Sequence, residues 1–333
     1  MKKILLYTVL IIVTSFITFY FWAGSGFSDV DSYYQIETYH DDFTNDGDTL
    51  KIMTYNIGYL SGMTNNLAVE RTPDLTYENL HKSYSFLSNQ NPDIIGFQEI
   101  DFNSDRSFNF NQLDSLAIRH NYPNAAKAIN WDKSYVPFPY WPIKYQFGKI
   151  LSGQAILSKL QIVSDSVVVL DKPQSAPFYY KKFYLDRLVQ VTKITHTSGE
   201  FVVMNVHLEA FDKETRESQA EQVLQLFNKY EKEYPVFLIG DFNSRPPFAT
   251  EITEIEKTIS IFLEHPGMGE AIDKSRYLEN ESSFFTFDTG NPYERLDYIF
   301  YTKNRITKVA SDVAREAGDI SDHLPVWMTF TLN

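Results

Sequence analysis

The chain contains no cysteine. That excludes disulfides, thiol catalysis and a lipidated N-terminal cysteine, and it fits any compartment while selecting none. Positive charge is also scarce: 30 Lys and Arg stand against 43 Asp and Glu, for a formal net charge of −13. A surface of that sign repels a polyanion at long range and argues against a high-affinity nucleic-acid binder. It does not exclude a protein that meets phosphate through a bound cation. No internal repeat or low-complexity segment interrupts the sequence, and no serine or cysteine elbow suggests a covalent intermediate. The apolar share of 43% is ordinary, and 333 residues allow one large domain or two modest ones around a sizeable core.

The N-terminus breaks this pattern. Lys2 and Lys3 precede an uncharged stretch from Ile4 to Ser28, almost wholly apolar as far as Ala23. An apolar helix of roughly 20 residues spans a bilayer, whereas the apolar region of a signal peptide usually runs about 7–15. Residues 1–28 therefore read as a membrane anchor or a signal sequence, with the small residues Ala23-Gly24-Ser25-Gly26 offering a cleavage site for the second reading. The paired lysines stay cytoplasmic and send the rest of the chain outward. The expected localisation is a membrane-anchored, extracytoplasmic domain; the alternative is a secreted one.

Residues 29–49 are acidic and without periodicity, and read as a linker. One domain over 50–333 is expected. Leu50 to Ile57 reads as a strand, Leu75 to Ser88 as an amphipathic helix, and Asp93 to Glu99 as a short buried strand after Asn91-Pro92. Another helix is expected at 109–120, and strands at 153–158, 160–170, 185–195 and 200–208. A helix at about 213–232 stops before Pro235. Strands follow at 236–240, 296–301 and 325–332.

Polar groups sit where these apolar strands end. Asn56 closes Met53-Thr54-Tyr55-Asn56 and can donate to phosphate or orient a ligand; taken alone it reads as a turn asparagine. Glu99 closes Gly96-Phe97-Gln98-Glu99. A carboxylate there is costly unless paired, exposed or bound to a cation, and hard cations such as Mg²⁺ take such ligands. His207 alternates with Asn205 on one strand face, opposite Val206 and Leu208, as a proton donor or as a structural histidine. In Ile239-Gly240-Asp241-Phe242-Asn243, Asp241 and Asn243 point the same way past the strand. There a carboxylate can orient water and an amide can steady phosphoryl charge. Asp297, in Arg295-Leu296-Asp297, is a candidate to hold His323 in one tautomer, which leaves Asp322 to face a metal.

Together these residues resemble the endonuclease/exonuclease/phosphatase superfamily. The matching text is TYNIG, IIGFQE, NVHLEA, LIGDFNS, RLDYIF and SDHLPV, in the family's order over residues 53–326, with GQAILSK at 153–159 like an internal strand. The resemblance implies an α/β (α+β) four-layer sandwich, in which two packed mixed β-sheets are flanked by helices and carry the site at one end. It implies a divalent-metal-dependent phosphoester hydrolase, for phosphodiesters above all, that uses direct water attack. Glu99 becomes the principal metal ligand with Asn56 beside it, and Asp322 assists. Asp241 activates water, Asn243 steadies phosphoryl oxygens, Asp297 pairs with His323, and His207 assists the leaving group or binds phosphate. The expected cofactor is Mg²⁺, with Mn²⁺ or Ca²⁺ as alternatives.

Substrate identity is read less directly. Trp131 to Phe147 (WDKSYVPFPYWPIKYQF) packs aromatics among prolines and lysines, and the prolines forbid a regular helix or central strand. It reads as a loop touching a membrane or substrate, or as one folded over the domain's own core. Arg187 is the substrate-binding candidate, for phosphate; the plain alternative is a pair with an acidic neighbour. The phosphoester partner is a nucleic acid or, in a sphingomyelinase-like or phosphoinositide variant, a phospholipid head group. Residues 4–23 meet the membrane, no protein partner is implied, and a non-catalytic binding module is the remaining class.

Overall fold

In the computed structural model the described residues are 1–43, 47–65, 67–250 and 256–333. The chain opens with helix α1 (Lys2–Ala23), continues through strands β1 (Tyr34–Thr38) and β2 (Leu50–Asn56), and then forms helix α2 (Pro73–Gln90). Strand β3 (Ile94–Asp101), helix α3 (Gln112–Arg119) and strands β4 (Asn124–Val136), β5 (Gly148–Ser158) and β6 (Ile162–Val169) follow. After the short helix α4 (Phe178–Phe183) come β7 (Leu188–His196), β8 (Gly199–His207), helix α5 (Lys213–Tyr230) and β9 (Val236–Asp241). The last part holds β10 (Met268–Glu270), β11 (Asp297–Thr302), β12 (Ile306–Val313) and β13 (Val326–Leu332), with two short helices around β10.

The strands form two mixed sheets, ordered β1-β4-β5-β3-β2-β13-β12 and β10-β11-β9-β8-β7-β6. The sheets pack face to face and helices cover them, as the sequence leads one to expect. Each sheet contains one parallel pair joined by a helical crossover: β2-α2-β3 in the first and β8-α5-β9 in the second. Local chemistry fixes both crossovers. Thr72 Oγ1 accepts from the Leu75 amide ahead of Pro73, and Asn91 ends α2 in a left-handed conformation. Asp212 caps α5 by accepting from the Thr215 amide at 2.9 Å.

Side-chain alternation sorts the core. Val203, Phe237, Ile239 and Ile299 face the first sheet and join Ile52 and Ile156. Val202, Met204, Val206 and Leu238 face outward onto Ala220, Val223 and Phe227 of α5. One inner layer is polar. Gln98 donates to Asn205 Oδ1 at 2.6 Å and to Thr54 Oγ1 at 3.1 Å, while Asn205 Nδ2 donates to the Phe97 carbonyl at 3.0 Å. These groups are buried yet paired, so they tie one sheet to the other at a set register.

Two expectations need correction. Residues 29–49 are not simply a linker: Tyr34–Thr38 forms the edge strand β1, antiparallel to β4, with Ile36 packed on the core and Glu37 paired to Lys127 at 2.7 Å. Edge strands are often short and charged, so five residues carry too little alternation to stand out from an acidic stretch. Positions 44–46 of that segment lie outside the described residues. The aromatic stretch is likewise split, because β4 continues through Trp131 to Val136 and the irregular backbone begins only at Pro137.

α1 is long and apolar enough to cross a membrane, and its apolar window is not buried in the domain. At about 1.5 Å per residue its 22 residues match the bilayer's hydrocarbon thickness.

Gly240 controls the register between β8 and β9. Its φ is +147°, and a Cβ there would lie 1.9 Å from the Val206 carbonyl oxygen. Gly240→Ala is expected to lower stability by about 3 kcal/mol, from backbone strain and overpacking together. A fall in the thermal unfolding midpoint is the readout; an unchanged midpoint would show that the strands can part without loss.

Candidate active site

Parallel strands end in the same direction, and the two sheets place their parallel pairs so that four carboxyl ends converge. Asn56 ends β2, His207 ends β8 and Asp241 ends β9. The antiparallel neighbours start at the same place: Asp297 opens β11 directly opposite Asp241, and Asp322 and His323 lie just before β13. Glu99 requires a further device, because strict alternation would aim it away from the inner face that Gln98 occupies. The register between β3 and β5 shifts between Phe97 and Ile100, and Glu99 sits at φ +52°. This bulge turns the carboxylate into the cluster.

The distances describe one connected constellation. Asn56 Nδ2 donates to Asp241 Oδ2 at 2.9 Å and to Glu99 Oε1 at 3.3 Å. His207 Nε2 lies 3.4 Å from Asp241 Oδ2 and 3.8 Å from Glu99 Oε1. His323 Nδ1 is 2.9 Å from Asp297 Oδ2, and its Nε2 is 3.7 Å from Asp241 Oδ2. Asp241 Oδ1 accepts from the Asn243 amide at 2.9 Å, which closes a turn and holds Asn243 at φ +50°. Asn243 Nδ2 donates to the Leu208 carbonyl at 3.0 Å, so its amide is oriented at the rim.

The two histidines are driven in opposite directions. Burial, then the positive charges of Arg187 and His323, hold His207 well below the ordinary imidazole value. Burial also opposes the charged form of His323, but Asp297 and Asp241 outweigh it and push its pKa well above 6.5. His207 is therefore neutral and His323 cationic near pH 7. Burial, with the Asp297 charge adding to it and His323 opposing, raises Asp241 to about 7. Burial and the Glu99 charge raise Asp322 to about 6.

Every candidate from the sequence falls in or beside this cluster. Arg187 is buried rather than displayed: Nη2 donates to the Tyr184 hydroxyl at 2.9 Å, and Nε lies 3.7 Å from Glu209 Oε2. The acidic neighbour is Glu209, and Arg187 also acts electrostatically on His207. Its Nε and Nη1 make no hydrogen bond among the described residues. Asn56 lies beside Glu99 and Asp241. Its carbonyl oxygen accepts from the Gly58 amide at 3.1 Å, and its NH₂ faces the carboxylates, so in this arrangement it orients them.

Sequence reasoning missed Asn65. Its Nδ2 donates to Glu99 Oε2 at 2.9 Å and reaches both Asp322 oxygens at 3.3 Å, bridging the two acids. It lies in a loop rather than at a strand end and carried no signal. The quoted TYNIG motif held a further requirement: Gly58 has φ +53°, and a Cβ there would come within 3.0 Å of Ser321 Oγ and Asp322 Oδ1.

The donor set suits a hard cation. Glu99 and Asp322 offer carboxylate oxygens side by side, and their mutual repulsion is the kind of charge excess that a divalent ion relieves. Asp241, Asp297 and His323 form a second, buried group with ligand atoms within 4.8 Å of one another. In that group the short contact between His323 Nδ1 and Asp297 is already a hydrogen bond, which occupies that ring nitrogen.

A left-handed Glu99 carries strain of about 1–2 kcal/mol that glycine does not. Glu99→Gly is accordingly expected to unfold at a higher temperature than Glu99→Ala, by about 1 kcal/mol of stability. Equal midpoints would show that the bulge relaxes once the carboxylate is gone.

The chain matches the Endonuclease/Exonuclease/phosphatase family over residues 53–323. No curated protein is similar in sequence at a significant level. Among solved structures, an endonuclease/exonuclease/phosphatase from Beutenbergia cavernae superposes with a TM-score of 0.62 at 19% identity, covering 86% of this chain and 72% of that one. TDP2 from D. rerio, complexed with single-strand DNA product, gives 0.58 at 16% identity, covering 86% and 100%. The mannosyl-6-phosphatase Bt3783 of Bacteroides thetaiotaomicron gives 0.55 at 18%, covering 85% and 99%. At these identities the structures show a shared fold, while the sequence pattern reaches from the second strand to His323. This protein belongs to the endonuclease/exonuclease/phosphatase family, whose members are phosphoester hydrolases.

Proposed function

We propose that this protein is a divalent-metal-dependent phosphodiester hydrolase that uses direct water attack, held at the outer face of a membrane by α1. The observation that carries the reading is the Asp297–His323 pair facing Asp241 across a buried acidic site. Glu99 and Asp322 would hold Mg²⁺, with Asn65 and Asn56 orienting the carboxylates. Bound there, such an ion would supply Lewis acidity and positive charge toward the phosphate.

The chain's own residues supply the rest. Asp241 Oδ2, between two imidazoles, is placed to align a water and accept its proton. Its raised pKa makes it a better base than an exposed aspartate. His207, kept neutral, donates a hydrogen bond to a phosphoryl oxygen. His323, kept charged by Asp297, offers a proton from Nε2 to an oxygen that gains negative charge. Arg187 places buried positive charge on the same side as His207, for the phosphate, and Asn243 steadies a phosphoryl oxygen from the rim.

Two substrate classes fit this chemistry. The net charge of −13 opposes long-range attraction of a nucleic acid, which favours a phospholipid head group. A panel of plasmid DNA, RNA, sphingomyelin and inositol phosphates, with and without Mg²⁺, separates the classes.

With the responsive substrate, chelation should abolish turnover and added Mg²⁺ should restore it. Asp241→Ala and His323→Ala should each lower kcat by about a hundredfold to ten-thousandfold. Full activity in chelator and in both variants would end the proposal. A pH profile tests the histidine assignment. The high pKa of His323 depends on Asp297, so loss of that charge lowers it. In Asp297→Asn the alkaline limb of the rate profile is expected to move to lower pH; a limb that stays in place would assign it to another group.

A further inference from the structure

Two segments flank the C-terminal end of α1. Tyr135, near the end of β4, stacks on Trp22 with ring centres 6.3 Å apart and meets Phe19 edge-on at 5.8 Å. From the other side α4 brings Phe178 and Phe183 to 5.9 and 5.8 Å from Tyr20. Asp132 holds the turn between helix and domain, accepting from the amides of Phe27 and Ser28 and from the Tyr33 hydroxyl at 3.0, 3.1 and 2.8 Å. The Ser134 amide also donates to the Ser25 carbonyl at 2.7 Å. The helix thus leaves the domain at one fixed place.

The same two segments present aromatic side chains to solvent. Past Tyr135 the chain enters the proline loop at 137–147, tied back by the Tyr135 hydroxyl to Gln146 at 2.7 Å. This loop exposes Tyr140, Trp141 and Ile143 by 67, 75 and 62%, and α4 exposes Phe178 and Tyr179 by 74 and 53%. Such side chains on adjoining segments form the kind of apolar patch that marks an interaction site. Lys144 stands on the loop and Lys181 and Lys182 on α4, in a chain whose net charge is −13. Aromatic rings and lysines side by side are the composition of a membrane–water interface.

We propose that this aromatic face seats the domain on the bilayer that α1 enters, with the rings at head-group level and the lysines toward anionic lipid. The proposal rests on α1 being a retained membrane anchor. Continuity decides the occupant: these segments touch the last turn of the helix, so a bilayer that surrounds α1 meets them directly. The face also leads to the site. Tyr180 of α4 stacks on Tyr184 at 4.7 Å, and the Tyr184 hydroxyl bonds both Glu209 and Arg187. Seating on this face brings the Arg187 side of the active site to the depth of lipid phosphates.

A chain without cysteine permits single labels. Trp141→Cys, Phe178→Cys, Ile12→Cys in mid-helix and Val309→Cys on β12, at the opposite edge of the sheet from β4, each carry one nitroxide. The full chain is placed in vesicles of phosphatidylcholine and phosphatidylglycerol, and collisions with oxygen and with a water-soluble nickel chelate are compared. Labels at 141 and 178 are expected to give an oxygen-to-nickel access ratio between those of the labels at 12 and 309, severalfold above that at 309, while the label at 309 favours nickel. Labels at 141 and 178 that behave as 309 does, beside a lipid-embedded 12, would leave the anchor standing and overturn the seating. All labels in water would overturn both. Shielding of 141 and 178 from both reagents would mean that a protein or a second copy covers the face, which also overturns the proposal.

Discussion

Burying several carboxylates within a few ångströms of each other is the constraint around which this structure is arranged. Glu99, Asp241, Asp297 and Asp322 converge where two sheets end, Asp241 and Asp297 fully buried and Glu99 and Asp322 half-buried. Each neighbour answers part of that charge. His323 takes up a proton between Asp297 and Asp241, Asn56 donates to two acids, and Asn65 bridges Glu99 to Asp322. His207 does not join them by charging, because burial, reinforced by the positive charges of Arg187 and His323, disfavours its charged form. The result is one neutral and one cationic imidazole on either side of a single carboxylate, a division that acid–base chemistry requires and that burial alone would not produce.

That geometry tolerates little slip, and the layer below explains how it is kept. Thr54 and Asn205 precede Asn56 and His207 by one inward-facing step, Gln98 bonds to both from β3 beside Asn56, and the Gln98–Asn205 and Asn205–Phe97 bonds span the gap between the sheets. An apolar pair at this level could slide by a fraction of a residue with little penalty. A paired amide cannot, since displacement would strand buried donors and acceptors at about 1–3 kcal/mol each. Polar residues inside the sandwich thus act as a register lock for the acidic layer above them.

The residues that the sequence places at the ends of apolar strands do converge in space. Alternation placed Asn205 and His207 on one face, and the Gly-Asp-x-Asn run placed Asp241 and Asn243 on one side. The same rule could not foresee Asn65, which reaches the acids from a loop, nor explain how Glu99 turns inward, which depends on a bulge that only the pairing with β5 reveals. It also understated the sheet's extent. β1 and β4 are an edge strand and its partner, so their stability comes from contacts with chain far away rather than from a strong local pattern.

The sign of the whole molecule and the sign of its site are different matters. Charges on the surface are screened over roughly 8 Å in physiological salt, so a net charge of −13 governs approach from bulk water more than events inside the site. Within it, Arg187, His323 and a hard cation would act at contact distance in a low dielectric, where each counts for far more. A free polyanion must cross the repulsive zone before these groups can reward it. With the domain anchored as proposed, a phosphoester already held at a membrane surface would not cross it, because confinement beside the domain would replace long-range attraction as the source of encounter. The acidic surface and the apolar helix therefore favour the same kind of substrate: one that is brought to the site by the membrane rather than drawn to it by charge.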